Sequence, residues 1–257
     1  NSAMLAESGV ASSLVSTIAT VASQAPGTEG KSEILGTAVR SLGRVARYTP
    51  VGSELNATQW VAHVLRNEAN RDASMATLEC IRDMSSSNVE HGNAFSSQNV
   101  VELVTWKLNS MPTDIEVQLI GMEALNAMCG SATCNASSSS SDGISDTTAV
   151  VDPEICDKIY NSGGSALIRN VLKEHLISPE TSEEIETNAA VHATLLLEGI
   201  ASCGGGGCID PETMRQVLDM ATAHLFDGTT STLSKDMKLQ LMGAVCSIHK
   251  QCATLTN

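Results

Sequence analysis

Residues 32–47 read SEILGTAVRSLGRVAR, and their pattern indicates the architecture of the whole chain. The apolar and small residues among them recur three and four positions apart, which predicts an amphipathic helix that packs tightly against its neighbours. The same pattern returns in four later segments, at residues 72–85, 116–130, 187–203 and 236–252. Each of these segments follows another amphipathic segment, at residues 12–23, 58–68, 99–108, 164–176 and 211–226. The sequence therefore predicts an almost entirely α-helical chain, with about ten helices in five hairpins.

The spacing of these helices indicates a repeat protein. The central apolar residues of the aligned helices are Leu42, Ile81, Leu125, Leu197 and Val245, separated by 39, 44, 72 and 48 residues. Helical solenoid repeats have periods of roughly 40–47 residues, so the third interval holds one repeat and an insertion. The run NASSSSSDGISDTT at residues 135–148 is too polar to fold alone. We expect a flexible inter-repeat loop at about residues 135–149, within a single domain spanning residues 1–257.

Residues 159–172 (IYNSGGSALIRNVL) resemble the second helix of an armadillo repeat, in which a glycine pair allows helices to cross closely. The five aligned helices resemble the third helix of that repeat, whose typical form is Ala-x-x-Ala-Leu-x-Asn-Leu. HEAT and other α-solenoid repeats share these features. The resemblance covers nearly the whole chain and implies an all-α, right-handed α-solenoid of about five armadillo-like or HEAT-like repeats. It also implies that the third helices line a concave groove, which binds extended peptides or helices of partner proteins.

The sequence departs from the armadillo pattern where cargo-binding members of the family recognise peptide backbones. Those members carry asparagines on the third helices and tryptophans one turn away. The matching positions here are Arg44, Asp83, Ala127, Gly199 and Ser247, and one turn earlier Arg40, Glu79, Glu123, Leu195 and Gly243. Because none of them is Asn or Trp, the sequence argues against recognition of nuclear-localisation peptides in the manner of importins.

Composition and charge narrow the classes of partner. Aromatic residues make up only 2% of the 257 residues, which favours closely packed helices over a β-sandwich. The formal net charge of −14 argues against a sequence-independent grip on nucleic acid and against an anionic membrane surface. An acidic surface suits basic partners, or serves solubility alone. No apolar run approaches the roughly 20 residues of a membrane span.

Eight cysteines and two potential glycosylation sequons, at Asn56 and Asn135, permit the interpretation of a secreted protein. We favour a reducing, cytoplasmic location, because four of the cysteines lie in or beside apolar helical patterns, where a cysteine packs as a small hydrophobic residue. These are Cys80, Cys129, Cys203 and Cys246.

Two C-x-x-x-x-C pairs, Cys129/Cys134 and Cys203/Cys208, are the candidate metal ligands. Four thiolates can hold zinc, but this spacing is looser than the common C-x-x-C form and the pairs lie far apart in sequence. We therefore predict that the chain binds neither metal nor cofactor.

Two further features have the residue types of an active site without its arrangement. Cys246 and His249, with His224 elsewhere, could supply a nucleophile and a base, but no orienting acid accompanies them. The glycine run at residues 204–207 lacks the Lys and Ser/Thr of a phosphate-binding loop and is typical of a hairpin turn. The sequence predicts that the chain is not an enzyme.

Three arginines are the strongest candidates for partner binding. Arg40, Arg44 and Arg47 are spaced i, i+4 and i+7, so they share one helical face. If that face lines the groove, it receives an acidic segment of a partner; if it faces outward, the arginines pair with nearby acids. The full set of candidate partner-binding residues is Arg40, Arg44, Arg47, Glu79, Asp83, Glu123 and Ser247.

The function that the sequence favours is a non-catalytic protein–protein interaction scaffold. The alternatives are a nuclear-transport or chaperone-type adaptor for exchangeable peptides, a static component of a cytoskeletal or ciliary assembly, and an enzyme whose site is not visible. A continuous polar ladder on the concave face would favour exchangeable peptides, and an apolar patch would favour permanent assembly. Because the sequence does not begin with Met, we expect it to be part of a longer protein.

Overall fold

The computed structural model describes residues 9–48, 51, 56–130, 152–176 and 184–202, together with residues 215, 219, 222, 242–246 and 248. These residues form α-helices and their connections, and none of them lies in a β-strand, which confirms the predicted fold class. Among the described helices, none combines the length and apolar character that a membrane span requires. The predicted loop at residues 135–149 and the glycine run at residues 204–207 lie outside the described residues.

The helices follow the predicted segments closely. Their bounds are α1 (Val10–Ala22), α2 (Lys31–Ala46), α3 (Ala57–Asn67), α4 (Arg71–Ser87), α5 (Val89–Ser97), α6 (Val100–Ser110), α7 (Ile115–Met128), α8 (Pro153–Asn161), α9 (Gly164–Leu176) and α10 (Glu184–Ser202). The predicted third helices are α2, α4, α7 and α10, and the predicted second helices are α1, α3, α6 and α9. Residues 242–246, in the fifth predicted repeat, are also helical.

Two helices, α5 and α8, were not predicted. Each is nine residues long and precedes a second helix, so α5, α6 and α7 form one three-helix repeat and α8, α9 and α10 form the next. A HEAT repeat has two helices, whereas three are typical of an armadillo repeat. The additional first helix therefore identifies the repeats as armadillo-like.

The glycine pair of residues 159–172 marks the junction of two helices and does not lie in the middle of one. The first helix α8 ends at Asn161, Gly163 has a positive φ of 92°, and the second helix α9 begins at Gly164. A side chain at Gly164 would meet the carbonyl oxygen of Ile159 at 2.6 Å. The pair therefore forms the tight turn between the first and second helices, which corrects the prediction that these residues make up the second helix alone.

The helices form two layers. The third helices α2, α4, α7 and α10 pack side by side in chain order, and each also packs against the second helix of its own repeat. A continuous core lies between the layers, and its largest fully buried side chains include Ile18, Leu35, Leu42, Leu65, Leu78, Ile81, Met84, Phe95, Leu108, Met122 and Leu125. Each third helix therefore has one face on the core and one face turned away from the second helices. Within the described row, α4 and α7 pack between two third helices, whereas α2 and α10 each pack against one.

The glycine at position 43 brings the first two third helices into backbone contact. A Cβ atom at Gly43 would lie 2.8 Å from the Cα atom of Cys80, which is closer than real Cβ contacts. At Gly36 the same construction leaves 3.5 Å to the Cα atom of Ala73, which is ordinary van der Waals contact. The small residues recognised in the sequence thus set the distance between α2 and α4.

Burial along α2 and α4 corrects the alignment of the first repeat by one residue. An offset of 38 matches the exposed Thr37 and Arg44 to the half-buried Met75 and Arg82. The sequence alignment of Leu42 with Ile81 uses 39, which would match Thr37 and Arg44 to the buried Ala76 and Asp83. Because an α-helix turns about 100° per residue, one residue of slip moves a side chain away from its face. Arg44 therefore corresponds to Arg82 and not to Asp83.

Candidate partner-binding surface

The face of each third helix that points away from the second helices forms a continuous surface. We call it the third-helix surface and define it by Thr37, Ser41 and Arg44 on α2, Met75, Glu79 and Arg82 on α4, Leu119, Glu123 and Asn126 on α7, and Val191, Leu195 and Glu198 on α10. Most of these side chains are exposed or half-buried, while Asn126 and Val191 are buried. The surface carries both charges together with half-buried apolar residues.

Two ion pairs join the first two third helices beside this surface. Nε of Arg40 donates to Oε2 of Glu79 at 2.6 Å, and NH2 of Arg47 donates to Oδ1 of Asp83 at 2.6 Å. Asp83 is only 5% exposed, so its carboxylate needs such a partner. Arg40 and Arg47 therefore compensate the acids of the next repeat, as the outward-facing alternative predicted for the arginines.

Arg82 extends the charge pairing from α4 to α7. Its guanidinium donates to Asp83 Oδ1 at 2.9 Å and to the carboxylate of Glu123. Partial burial disfavours the charged form of Arg82, but the attraction of Glu123 and Asp83 outweighs it and raises the pKa of Arg82. Arg82 is thus the central cation of a connected network.

His192 continues the network from α7 to α10. Its Nε2 lies 3.5 Å from Oε1 of Glu123, and its backbone carbonyl accepts a hydrogen bond from Nδ2 of Asn126 at 2.7 Å. Burial lowers the pKa of His192; the Glu123 carboxylate opposes this shift, and the nearby Arg82 cation adds to it. The Nδ1 atom of His192 is buried with no hydrogen-bond partner among the described residues.

A second group of charges lies at the beginning of α4 and α7. Asp114 caps α7 by accepting a hydrogen bond from the backbone N–H of Val117 at 3.3 Å. The guanidinium of Arg71 donates to Asp114 Oδ1 at 2.9 Å and to Glu116 Oε2 at 2.6 Å, and this hydrogen bonding holds the pKa of Asp114 below its usual range. The cap of one third helix is therefore fixed by an arginine of the preceding one.

Arg44 differs from the other two arginines of the predicted face. It is exposed, and no ion pair joins it to any residue that the structure describes. Its equivalents in the corrected alignment are Arg82 and Asn126. Of the other predicted residues, Glu79, Asp83 and Glu123 take part in the ion pairs above, and Ser247 lies outside the described residues.

Four residues of these networks were not predicted from the sequence: Arg71, Arg82, Asn126 and His192. Arg82 and Asn126 were hidden by the one-residue slip, since the correct alignment with Arg44 would have placed both on the third-helix surface. Arg71 and His192 carry no distinctive spacing, and their roles depend on contacts 43 and 69 positions apart in the sequence.

Of the four cysteines predicted to pack in the core, the structure describes three, and two of these are buried. Cys80 and Cys129 are buried, as predicted, but Cys246 is exposed and does not pack in the core. The structure brings Cys129 close to Cys156, with the two Sγ atoms 3.9 Å apart. Cys134, Cys203 and Cys208 lie outside the described residues, and within the described ones no three His, Cys, Asp or Glu side chains are grouped as metal ligands.

A cavity of about 360 Å³ lies between the beginning of α3 and helix α5, away from the third-helix surface. Its lining includes Asn56, Glu90 and His91. Both ring nitrogens of His91 already face backbone carbonyl oxygens, of Met84 at 3.1 Å and of Val51 at 3.0 Å. His91 therefore joins α4, α5 and the chain at Val51, which is a structural role.

Comparisons with known proteins support the fold. A designed armadillo repeat protein is 12% identical, with a TM-score of 0.63, and the match covers 96% of this chain and 85% of that one. Two engineered proteins, both Northeast Structural Genomics Consortium targets, are 15% and 14% identical with TM-scores of 0.58 and 0.62; the matches cover 98% and 97% of this chain and 85% and 86% of theirs. No family model and no curated protein matches the sequence.

Proposed function

We propose that this chain, an armadillo-like α-solenoid, is a non-catalytic cytoplasmic scaffold that binds segments of partner proteins along its third-helix surface. The proposal rests on the charged and polar side chains that α2, α4, α7 and α10 each contribute to this surface, interspersed with the apolar Met75, Leu119 and Leu195. Solenoids of this type use such extended surfaces for recognition.

The polar character of the surface favours exchangeable partner segments over permanent assembly. Permanent interfaces are more apolar and bury larger areas, whereas Glu79, Arg82 and Glu123 follow one another on this surface with part of each side chain exposed. Met75 and Leu119 lie half-buried beside them and offer apolar contacts to a bound segment. These features support an adaptor for exchangeable peptides over a static structural component.

Arg44 is the residue that we assign to an acidic group of the partner. The charges of Arg40 and Arg47 are compensated by Glu79 and Asp83, whereas Arg44 is exposed and can offer its planar guanidinium to a carboxylate. The predicted acid-binding role therefore narrows from three arginines to one. Because this contact would be solvent-exposed, its contribution to binding is about 1 kcal/mol or less.

The test combines crosslinking with affinity capture. A photo-crosslinking residue is placed at position 44, at position 123, or at position 20 on the exposed side of α1, and the captured proteins are identified by mass spectrometry. We expect one partner to crosslink from positions 44 and 123 and not from position 20. Equal crosslinking from all three positions, or from position 20 alone, would contradict the proposed surface.

A matched pair of charge reversals then tests Arg44. Arg44→Glu should weaken the binding of the captured partner by up to about fivefold and reduce the salt dependence of that binding. Arg66→Glu makes the same change at an exposed site on the second helix α3 and should leave the affinity unchanged. If the two variants bind the partner with equal affinity, Arg44 does not contact the partner, but the proposal that the rest of the third-helix surface binds it still stands.

A further inference from the structure

Two buried thiols meet where one repeat is joined to the next. Cys129 is the C-cap residue of the third helix α7, and Cys156 lies in the first helix α8 of the following repeat. Their exposed fractions are 0% and 1%, and their Sγ atoms are 3.9 Å apart. The two residues are 27 positions apart and flank the Ser-rich insertion.

The backbone holds this pair in place. The N–H of Asp152 donates to the carbonyl oxygen of Cys129 at 3.1 Å, and the Asp152 side chain caps α8 by accepting from the N–H of Glu154 at 2.9 Å. One cysteine is therefore fixed at the end of α7, and the other lies one turn into a capped helix tied to the same point. A disulfide bond has an S–S length of about 2.05 Å, so the sulfurs need to approach by roughly 2 Å through side-chain rotation and a small shift of α8.

We propose that Cys129 and Cys156 form a peroxide-oxidisable pair that closes into a disulfide bond between consecutive repeats. One thiol sulfur attacks hydrogen peroxide, the O–O bond breaks, and the products are a sulfenic acid and one water. The second sulfur attacks the sulfenic sulfur, forms the S–S bond and releases a second water. Two thiols lose two electrons and two protons in total, and one peroxide is reduced to two waters.

The surroundings favour this product over further oxidation. A sulfenic acid formed on either sulfur has a resolving thiol within 4 Å, so attack by that thiol competes with a second peroxide that must diffuse in from solvent. Cys80 is the contrasting case, because its Sγ faces the thioether of Met84 at 3.7 Å and not another thiol.

The disulfide would make the junction between these repeats covalent. It would enclose the insertion in a closed loop and restrict the unfolded chain, which stabilises the folded form. The disulfide does not involve the third-helix surface, so a test of the disulfide and a test of the proposed function have independent outcomes.

The experiment is peroxide treatment of the folded protein followed by peptide mapping. After alkylation of the remaining thiols, cleavage at glutamate separates residues 124–154, which contain Cys129, from residues 155–174, which contain Cys156. We expect these two peptides to be linked, with the loss of two hydrogen atoms. We also expect the melting temperature of the oxidised protein to rise by on the order of 5 °C, and the rise to disappear after reduction.

Cysteine variants identify the pair. Residues 124–154 also contain Cys134, so Cys134→Ser and Cys80→Ser serve as controls and should keep both the link and the rise. Cys129→Ser and Cys156→Ser should abolish both. Loss of the link in Cys134→Ser, or peroxide treatment of the wild-type protein that yields sulfinic acid and no linked peptide, would overturn the proposal. The wild-type and Cys134→Ser maps decide it even if the Cys129 and Cys156 variants do not fold.

Discussion

The junction of α2 with α4 and that of α7 with α10 place two third helices side by side by different means. In the first junction, Gly43 allows the backbone of α2 to approach Cys80, and the ion pairs of Arg40 and Arg47 lie outside this contact. In the second junction, the side chain of Asn126 reaches the backbone carbonyl of His192. Close backbone contact distinguishes the first junction, and a partly buried side-chain-to-backbone hydrogen bond distinguishes the second.

The difference follows from how the chain connects each pair. Helix α2 is followed directly by α3 and α4, so a short connection already places α4 near α2. Between α7 and α10 the chain runs through the insertion and two further helices, and closing a longer loop costs more entropy. The hydrogen bond from Asn126 therefore fixes how α10 is aligned along α7, which the long connection between the two helices does not fix. Four measurements test whether the two junctions differ in this way.

The largest effect is expected at the glycine contact. Gly43→Ala places a Cβ atom 2.8 Å from the backbone of Cys80, so α2 and α4 must separate, and we expect a loss of about 3 kcal/mol in the free energy of unfolding. Gly36→Ala is the matched control, because its Cβ meets Ala73 at 3.5 Å and gains helix propensity. Urea unfolding followed by circular dichroism measures both. Equal losses in the two variants would show that shape does not control this junction.

A smaller effect is expected at the polar junction. Asn126→Ala removes the hydrogen bond to the His192 carbonyl from a site that is 2% exposed, and should cost about 1–2 kcal/mol in the same unfolding assay. Asn109→Ala, at an exposed position of α6, should cost nearly nothing. A stability of Asn126→Ala equal to that of the control would mean that packing alone holds α10 in register.

The polar junction should also be sensitive to pH. Because burial lowers the pKa of His192 in the folded protein, the unfolded chain binds the proton first as the pH falls below about 6.5. The His192 contribution is complete above that value and is lost as the pH falls toward the lowered folded pKa. We expect His192→Gln to flatten the fall in melting temperature between about pH 7 and pH 5. Parallel profiles for the variant and the wild-type protein would contradict the assignment.

The smallest effect concerns the ion pairs outside the glycine contact. The side chains of Arg40 and Glu79 are 37% and 24% exposed, so solvent screens their attraction. A double-mutant cycle with Arg40→Ala and Glu79→Ala should give a coupling energy below about 1 kcal/mol, which decreases in high salt. A coupling as large as the Gly43→Ala effect would show that charge, and not shape, holds α2 against α4.

The helices that bury one long apolar face were predictable from the sequence. Eight of the ten described helices match predicted segments, because a period of 3.6 residues is visible within a single helix. The two short first helices were missed since nine residues such as VEHGNAFSS present few apolar repeats. They are nevertheless the elements that distinguish armadillo-like from HEAT-like repeats.

The candidate surface was predicted less well, because it depends on register and on distant pairs. The alignment of the first repeat was wrong by one residue, so it placed the buried Asp83 on the surface where the structure has Arg82, which bridges Asp83 and Glu123. The pairing of Cys129 with Cys156 was missed because sequence spacing favoured Cys134. Exposure of Cys246 could not be anticipated from its apolar neighbours, since position around the helix decides burial.

The backbone contact at Gly43 also has a mechanical consequence. Where two helix backbones touch, no side chain lies between them whose rotamer could change, so the resistance of this contact to bending should approach that of the helices themselves. The junction of α7 with α10 is spanned by side chains with several rotatable bonds, and it should deform under a smaller load. If the solenoid flexes to accommodate ligands of different width, we expect the bending to concentrate between α7 and α10, while α2 and α4 move as one stiff unit.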